Sequence, residues 1–289
     1  MSSPRIRTLS FAVCALLLFS ACGSSSESDG AGVLDYVGRI PGVQVDGTGV
    51  IVDGIRAELP ILDGEILGPR ARGNRLLVIG DSIFESTSRR FGGEMCSVLV
   101  PLGWQVAVEA RQGELVGFGR TVIRERINEG WDAAVVFLGT NFGGDQVNYE
   151  RDLTRIVDSL APRPTLLLTA TLFKDSMKLV NESIRRVASL YPNVSVLDWG
   201  TASLQEGILN RDKIHPTDAG RKVLVASVAA SLGNAPKSPG SCLVSMSDLP
   251  LDEDSVQTST TVSDSEETSS TTVPPQTSTT VSPSPTAGQ

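Results

Sequence analysis

The segment RLLVIGDSIFES, residues Arg75–Ser86, decides the fold. Its first half is a short apolar run of the kind that forms a buried strand, and its second half has the composition of a helix. Gly80-Asp81-Ser82 lies between the two halves, where a plain turn would more often contain Asn-Gly or Pro. Ser82 is therefore either the N-cap of the helix, with Glu85 completing a Ser-x-x-Glu capping box, or a nucleophile held on a tight strand-to-helix turn.

From Arg75 onward, apolar runs rich in Val, Ile and Leu alternate with amphipathic segments. Runs that are apolar at every position predict strands buried on both faces, which is typical of a parallel sheet covered by helices. We therefore predict an α/β fold with a five-stranded parallel sheet. The predicted strands are 76–80, 104–110, 132–140, 165–171 and 194–200. The helix after the second strand has one predicted apolar face, formed by Leu115, Phe118, Val122, Ile123 and Ile127.

Unusual polar and glycine-containing motifs follow the predicted strands or precede the last helix. Since sites in parallel sheets gather at the carboxyl ends of the strands, we expect these motifs to lie close together. They are Gly80-Asp81-Ser82, Arg111-Gln112-Gly113, Gly139-Thr140-Asn141 and the segment from Asp212 to His215.

Residues 33–72, ahead of the sheet, contain three Asp-Gly dipeptides, each after an aliphatic run. Asp-Gly between short apolar runs is a hairpin signal. We predict a small N-terminal β-meander packed on the main domain, and no residue in it suggests chemistry. The dipeptides are Asp46-Gly47, Asp53-Gly54 and Asp63-Gly64.

The N-terminal residues 1–21 combine a basic start, an apolar run and small residues at the exit, which is the order of a secretory signal. The run is shorter than the ~20 residues that a membrane-spanning helix needs. Cys22 follows it, and the sequence LFSAC is similar to the lipobox of bacterial lipoproteins, in which the cysteine carries lipid and becomes the mature N-terminus. Phe19 departs from the aliphatic residue usual there, so cleavage without lipid stays open. Residues 22–32 have the composition of a flexible tether.

The acidic charge of the chain lies mostly at its C-terminus. Residues 238–289 contain seven acids and no Lys or Arg, whereas residues 30–237 contain 24 acids and 23 basic residues. We predict that residues 248–289, rich in Ser, Thr and Pro, are disordered, either as a wall-spanning or glycosylated stalk or as a solvated tail. No basic patch with interleaved aromatic residues occurs, so nucleic acid is not an expected partner.

Five positions supply the parts of a serine nucleophile site. A serine hydroxyl needs a base at neutral pH, and the chain has a single histidine, His215. Asp212, three residues earlier, can fix the imidazole tautomer and steady its positive charge. Gly113 and the Asn141 amide, together with the backbone N–H of Ser82, can donate hydrogen bonds to an oxyanion.

These motifs, in this order over residues 75–233, resemble the SGNH hydrolase family, also called GDSL esterases. The resemblance implies a flavodoxin-like three-layer sandwich and metal-free serine esterase chemistry. In that reading Ser82 is the nucleophile, His215 the base and Asp212 its orienting residue, while Gly113 and Asn141 are oxyanion donors. The sequence departs from the family at Phe142, where an aspartate is common after the asparagine. VLDWG at 196–200, Asn181 and the GTN motif look most like the SGNH domains of bacterial envelope acyltransferases.

Two of the four cysteines remain after the predicted signal and Cys22 are set aside. Leftover cysteines in an exported protein often pair, so we predict a disulfide between Cys96 and Cys242. A single histidine excludes a His-rich zinc site, and we expect neither a metal nor another cofactor.

We thus expect a signal peptide (1–21), a tether (22–32), a β-rich extension (33–72), an SGNH domain (73–247) and a tail (248–289). We expect a monomeric, exported and lipid-anchored serine esterase that hydrolyses or transfers short acyl groups, such as acetyl, on envelope carbohydrate. The alternatives are a catalytically idle glycan-binding lipoprotein, which would have no need of His215, and a lipid or thioester hydrolase.

Overall fold

The structure is a computed structural model that describes residues 37–47 and 49–248. The predicted signal, Cys22, the tether, the start of the extension and residues 249–289 of the tail lie outside the described residues. The strands are β1 Val43–Asp46, β2 Gly49–Val52, β3 Ile55–Glu58, β4 Leu62–Asp63, β5 Arg75–Gly80, β6 Gln105–Ala110, β7 Ala133–Phe137, β8 Thr165–Leu168, β9 Val194–Leu197 and β10 Ser241–Cys242.

Seven α-helices within the described residues surround the main sheet. They are α1 Ser82–Glu85, α2 Glu94–Leu99, α3 Gly117–Arg126, α4 Gln146–Leu160, α5 Met177–Ser189, α6 Trp199–Ala202 and α7 Asp218–Leu232. Helix α4 packs against both α3 and α5, and α2 packs against α7. Four short 3-10 turns lie at Gly68–Arg70, Arg89–Phe91, Ile127–Glu129 and Met246–Asp248.

The main sheet has the order β10-β6-β5-β7-β8-β9-β4. Its five predicted strands are confirmed: β6, β5, β7, β8 and β9 are all parallel, and in chain order they form the 2-1-3-4-5 arrangement of flavodoxin-like folds. Two-residue edge strands, β10 parallel to β6 and β4 antiparallel to β9, enlarge the predicted five-stranded sheet to seven strands.

Both faces of the sheet are buried, as the unbroken apolar runs predict. In β5, side chains alternate between the two faces. Leu76 and Val78 join the core with α1, α2 and α7, whereas Leu77 and Ile79 join the core with α3, α4 and α5. The fold is therefore the predicted three-layer α/β sandwich.

The predicted N-terminal meander is confirmed as the antiparallel sheet β1-β2-β3. Asp53 and Gly54 both have positive φ angles, 50° and 83°, as a two-residue hairpin turn requires. The third Asp-Gly makes no hairpin. Instead β4, which ends at Asp63, pairs with β9, and Glu65 exchanges hydrogen bonds with the Ser195 hydroxyl at 3.1 and 2.8 Å. Strand β2 packs on α7 within the main core.

The C-terminal end of the described residues lies beside β6, with which β10 pairs. Cys96 of α2 and Cys242 of β10 form a disulfide with a Cα–Cα distance of 5.5 Å. The bond closes a loop of 146 residues that contains β6 to β9 and α3 to α7. A crosslink of such length constrains the unfolded chain strongly.

We predict that protein made in an oxidising compartment contains this disulfide and that replacing Cys96 and Cys242 by serine lowers the free energy of unfolding by about 2–4 kcal/mol. Denaturant titration measures the loss relative to disulfide-bonded wild type, and reduced wild type should show a loss of the same size. Two free thiols found by mass spectrometry in exported wild-type protein would contradict the prediction.

Candidate active site

Ser82 is the first residue of α1, directly after the turn that ends β5. The turn needs glycine at position 80, because a Cβ there would lie 2.4 Å from the Cβ of Phe84. The capping-box interpretation of Ser82 is wrong. Asp81 is the N-cap, and its Oδ1 accepts a hydrogen bond from the Ile83 N–H at 3.1 Å. The Ser82 hydroxyl is therefore not committed to capping.

The Ser82 hydroxyl lies against the only histidine of the chain. Its Oγ is 3.0 Å from His215 Nε2, and His215 Nδ1 is 2.8 Å from Asp212 Oδ2. The two nitrogens of one imidazole thus join a hydroxyl on one side and a carboxylate on the other. This is the arrangement in which a histidine takes a proton from serine while the carboxylate holds the ring.

The loop before α7 fixes the imidazole. Asp212 Oδ1 accepts hydrogen bonds from the N–H groups of Ile214 at 2.9 Å and His215 at 3.1 Å. Partial burial opposes ionisation, but these bonds and the imidazole hold the pKa of Asp212 below its ordinary value. The carboxylate therefore stays charged where a histidine titrates. The His215 carbonyl accepts from the Asn210 N–H at 2.9 Å, which closes the loop.

Gly113 and Asn141 line the same open cleft as Ser82 and His215, with a volume of about 680 Å³. Gly113 has a φ of +75°, which favours glycine, and a Cβ there would meet nothing within 4 Å. Asn141 Nδ2 donates to the Glu114 carbonyl at 3.1 Å, so the two loops support each other. An amide nitrogen carries two N–H groups, so one remains for a substrate oxygen.

Two buried carboxylates of the α1 turn hold these loops, and sequence reasoning missed both roles. Asp81 Oδ2 accepts from the Thr140 N–H at 3.3 Å, next to Asn141. Glu85 Oε2 accepts from the Gln112 N–H at 2.7 Å, next to Gly113. Burial raises the pKa of Asp81, and hydrogen bonds from Thr140 and Ile83 oppose that rise. The available signal was a carboxylate on each side of Ser82, one residue before it and three residues after it.

Phe142 occupies the position where the family resemblance implies an aspartate. Its side chain is buried, and its ring meets Tyr149 edge to face at a centroid distance of 5.7 Å. The Tyr149 hydroxyl donates to the Leu138 carbonyl at 2.9 Å. Aromatic packing thus anchors the loop after Asn141.

We predict that Glu85→Ala lowers kcat for a simple ester by about 10- to 100-fold with little change in KM, because one oxyanion loop loses its anchor. Steady-state kinetics measures both constants. Glu85→Gln keeps an acceptor oxygen and should restore most of kcat, and Glu125→Ala on the exposed side of α3 is the matched control. Wild-type kcat in Glu85→Ala would contradict this role.

No protein-family model matches the chain, and no curated protein sequence matches it significantly. Solved structures do resemble it. The C-terminal catalytic domain of Streptococcus pneumoniae peptidoglycan O-acetyltransferase A is 18% identical over 56% of this chain and 98% of that domain, with a TM-score of 0.45.

Two further structures are similar at 15% identity. A psychrotrophic esterase from Pseudoalteromonas sp. aligns over 55% of this chain and 96% of its own, with a TM-score of 0.45. A G-D-S-L family protein from Desulfitobacterium hafniense aligns over 55% and 99%, with a TM-score of 0.46.

Within residues 37–47 and 49–248, no group of three or more His, Cys, Asp or Glu side chains is placed to hold a metal ion. Over the same ranges, no helix has the length and apolar character of a membrane span.

Proposed function

We propose that this protein is a serine esterase of the SGNH type that cleaves or transfers short acyl groups through an acyl-enzyme on Ser82. The observation that carries the proposal is the continuous chain of contacts from Ser82 through His215 to Asp212, at 3.0 and 2.8 Å. A domain that only binds glycan has no need of this arrangement.

The first half of the reaction forms the acyl-enzyme. Ser82 Oγ attacks the ester carbonyl carbon while His215 Nε2 takes its proton, and the carbonyl oxygen becomes an oxyanion. The N–H groups of Ser82 and Gly113 and the Asn141 amide receive that charge. When the intermediate collapses, the carbon–oxygen bond to the alcohol breaks and His215 returns the proton to the leaving oxygen.

The second half removes the acyl group. Water or a sugar hydroxyl attacks the acyl carbon, His215 takes its proton, and the bond to Ser82 Oγ breaks as the serine regains a proton. Water gives hydrolysis and a sugar hydroxyl gives transfer.

Carbohydrate is the alcohol component that the cleft fits. The cleft is open and wide, and its lining includes an aromatic ring, Phe173, and an ammonium group, Lys174. An aromatic face and a polar donor together suit the mixed apolar and hydroxyl surfaces of a sugar. With the signal-like segment 1–21, these features support an acylated carbohydrate of the cell envelope as substrate.

The test is to incubate the purified protein with acetylated envelope glycans and to measure both released acetate and newly acetylated acceptor. Activity that disappears in Ser82→Ala supports the proposal. Glycan binding without turnover would favour an idle glycan-binding protein, and turnover restricted to lipid or thioester substrates would favour a lipid or thioester hydrolase.

Cys22, outside the described residues, carries the proposal that the mature chain is anchored by lipid. We predict that Cys22→Ser moves the protein from the membrane fraction to the soluble fraction, because a cysteine-linked lipid would be lost. Quantitative fractionation of the two forms measures the shift, with Cys14→Ser as control. Equal partition of Cys22→Ser and wild type would contradict lipid anchoring and favour simple secretion.

A further inference from the structure

A second cavity lies beside the proposed active site. It encloses about 240 Å³, and its wall includes Leu115, Val116, Leu138, Phe142 and Tyr149. Asn141 and Phe142 border both this cavity and the cleft of Ser82. The cavity therefore adjoins the position that a substrate carbonyl would occupy.

The wall of the cavity combines apolar side chains with three carboxylates, Glu114, Asp145 and Asp152. Glu114 pairs with Arg111, and Asp152 lies 3.2 Å from Arg120. Asp145 caps α4 by accepting the Asn148 N–H at 3.0 Å. Since each carboxylate already has a partner, none of them needs a cationic ligand. What remains for a ligand is the apolar wall.

The geometry of the reaction assigns the two cavities to the two halves of an ester. His215 must protonate the leaving oxygen, so the alcohol lies next to His215 and its neighbour Ile214, which both line the cleft. Neither Ile214 nor His215 lines the second cavity, whose wall includes Asn141 and Glu114. An acyl chain, on the other substituent of the carbonyl carbon, points away from the alcohol.

We infer that this cavity is the acyl-chain pocket and that it takes linear acyl groups of about four to six carbons, longer than acetyl. The inference rests on the proposed esterase function. Each methylene group that the apolar wall removes from water would raise kcat/KM by about fourfold. A volume of about 240 Å³ is below the range of ~300–1,000 Å³ typical of drug-sized ligands, so the pocket suits only a small group.

Gly117 provides the test of this pocket. It lines the cavity, its φ is not in the left-handed region, and a Cβ there would meet nothing within 4 Å. It is also the first residue of α3, where leucine is a better helix former than glycine. Gly117→Leu therefore fills the cavity without a backbone clash.

The experiment compares kcat/KM for p-nitrophenyl acetate, butanoate and hexanoate in wild type, Gly117→Leu, the control Arg124→Leu and Ser82→Ala. Arg124 lies on the same helix with an exposed side chain. In wild type and Arg124→Leu we expect kcat/KM for hexanoate to exceed that for acetate by at least about tenfold, and Gly117→Leu should reduce the ratio by at least about tenfold. Should Gly117→Leu misfold, Gly143→Leu takes its place. Gly143 also lines the cavity, and a Cβ there would meet nothing within 4 Å.

A wild-type preference for acetate would overturn the pocket, and so would a hexanoate-to-acetate ratio that neither leucine variant changes. If hydrolysis still depends on Ser82 in either case, the esterase function stands. Absence of Ser82-dependent hydrolysis with every ester would instead overturn the esterase function, and the pocket with it.

Discussion

Ser82→Ala should lower kcat for p-nitrophenyl acetate by about 10⁴- to 10⁶-fold, because no other group can form the acyl-enzyme in this geometry. The free energy of unfolding should change by less than about 0.5 kcal/mol, since Asp81 and not Ser82 caps the helix. Steady-state kinetics and denaturant titration measure the two effects.

Ser86→Ala is the matched control for this variant. Ser86 follows the same helix, and its hydroxyl donates to the Ile83 carbonyl at 2.6 Å, away from the imidazole. It should retain near wild-type kcat. Substantial activity in Ser82→Ala would show that a different group reacts and that the proposed mechanism is wrong.

His215→Ala should cause a loss of comparable size, because the chain contains no other histidine. The neutral imidazole is the base, so wild-type activity should fall as the medium becomes acid and a single proton blocks Nε2. Residual activity in His215→Ala should lack that dependence. A pH profile of kcat/KM, recorded for both proteins over the range in which wild type stays folded, measures the difference.

Asp212 does not supply the acid limb, because its lowered pKa keeps it ionised below the range where a histidine titrates. Asp212→Asn should cost less activity than His215→Ala, since the base remains and only its orientation suffers. Near-full activity in His215→Ala would show that His215 is not the base.

The lowered pKa of Asp212 also affects folding. It adds to the free energy of unfolding at pH values above the ordinary carboxyl pKa of ~3.9, and this contribution is lost as pH falls through the pKa of the folded protein.

The five central strands could be predicted because their burial on both faces leaves an unbroken apolar run in each. The edge strands could not. Strands β4 and β10 have two residues each, and only their pairing with β9 and β6 defines them. The same tertiary pairing explains why Asp63-Gly64, with a local signal equal to that of Asp53-Gly54, makes no hairpin.

The candidate site likewise contains residues that the sequence could predict and residues that it could not. Ser82, His215 and Asp212 could be proposed because their chemistry is unusual and only one histidine exists. Glu85 could not, since its partner Gln112 is 27 residues away and the local pattern favoured a capping box. Leu115 was predicted to join the buried face of α3 but is 53% exposed, because the helix begins two residues later, at Gly117.

The most direct test of the central claim is the site of covalent reaction with a fluorophosphonate, whose phosphorus accepts a nucleophilic oxygen as fluoride leaves. Intact-protein mass spectrometry of the treated protein should show one phosphonyl group per chain, and peptide mapping should place it on Ser82. Ser82→Ala should remain unlabelled. Absence of labelling, or a phosphonyl group on a residue other than Ser82, would contradict the account.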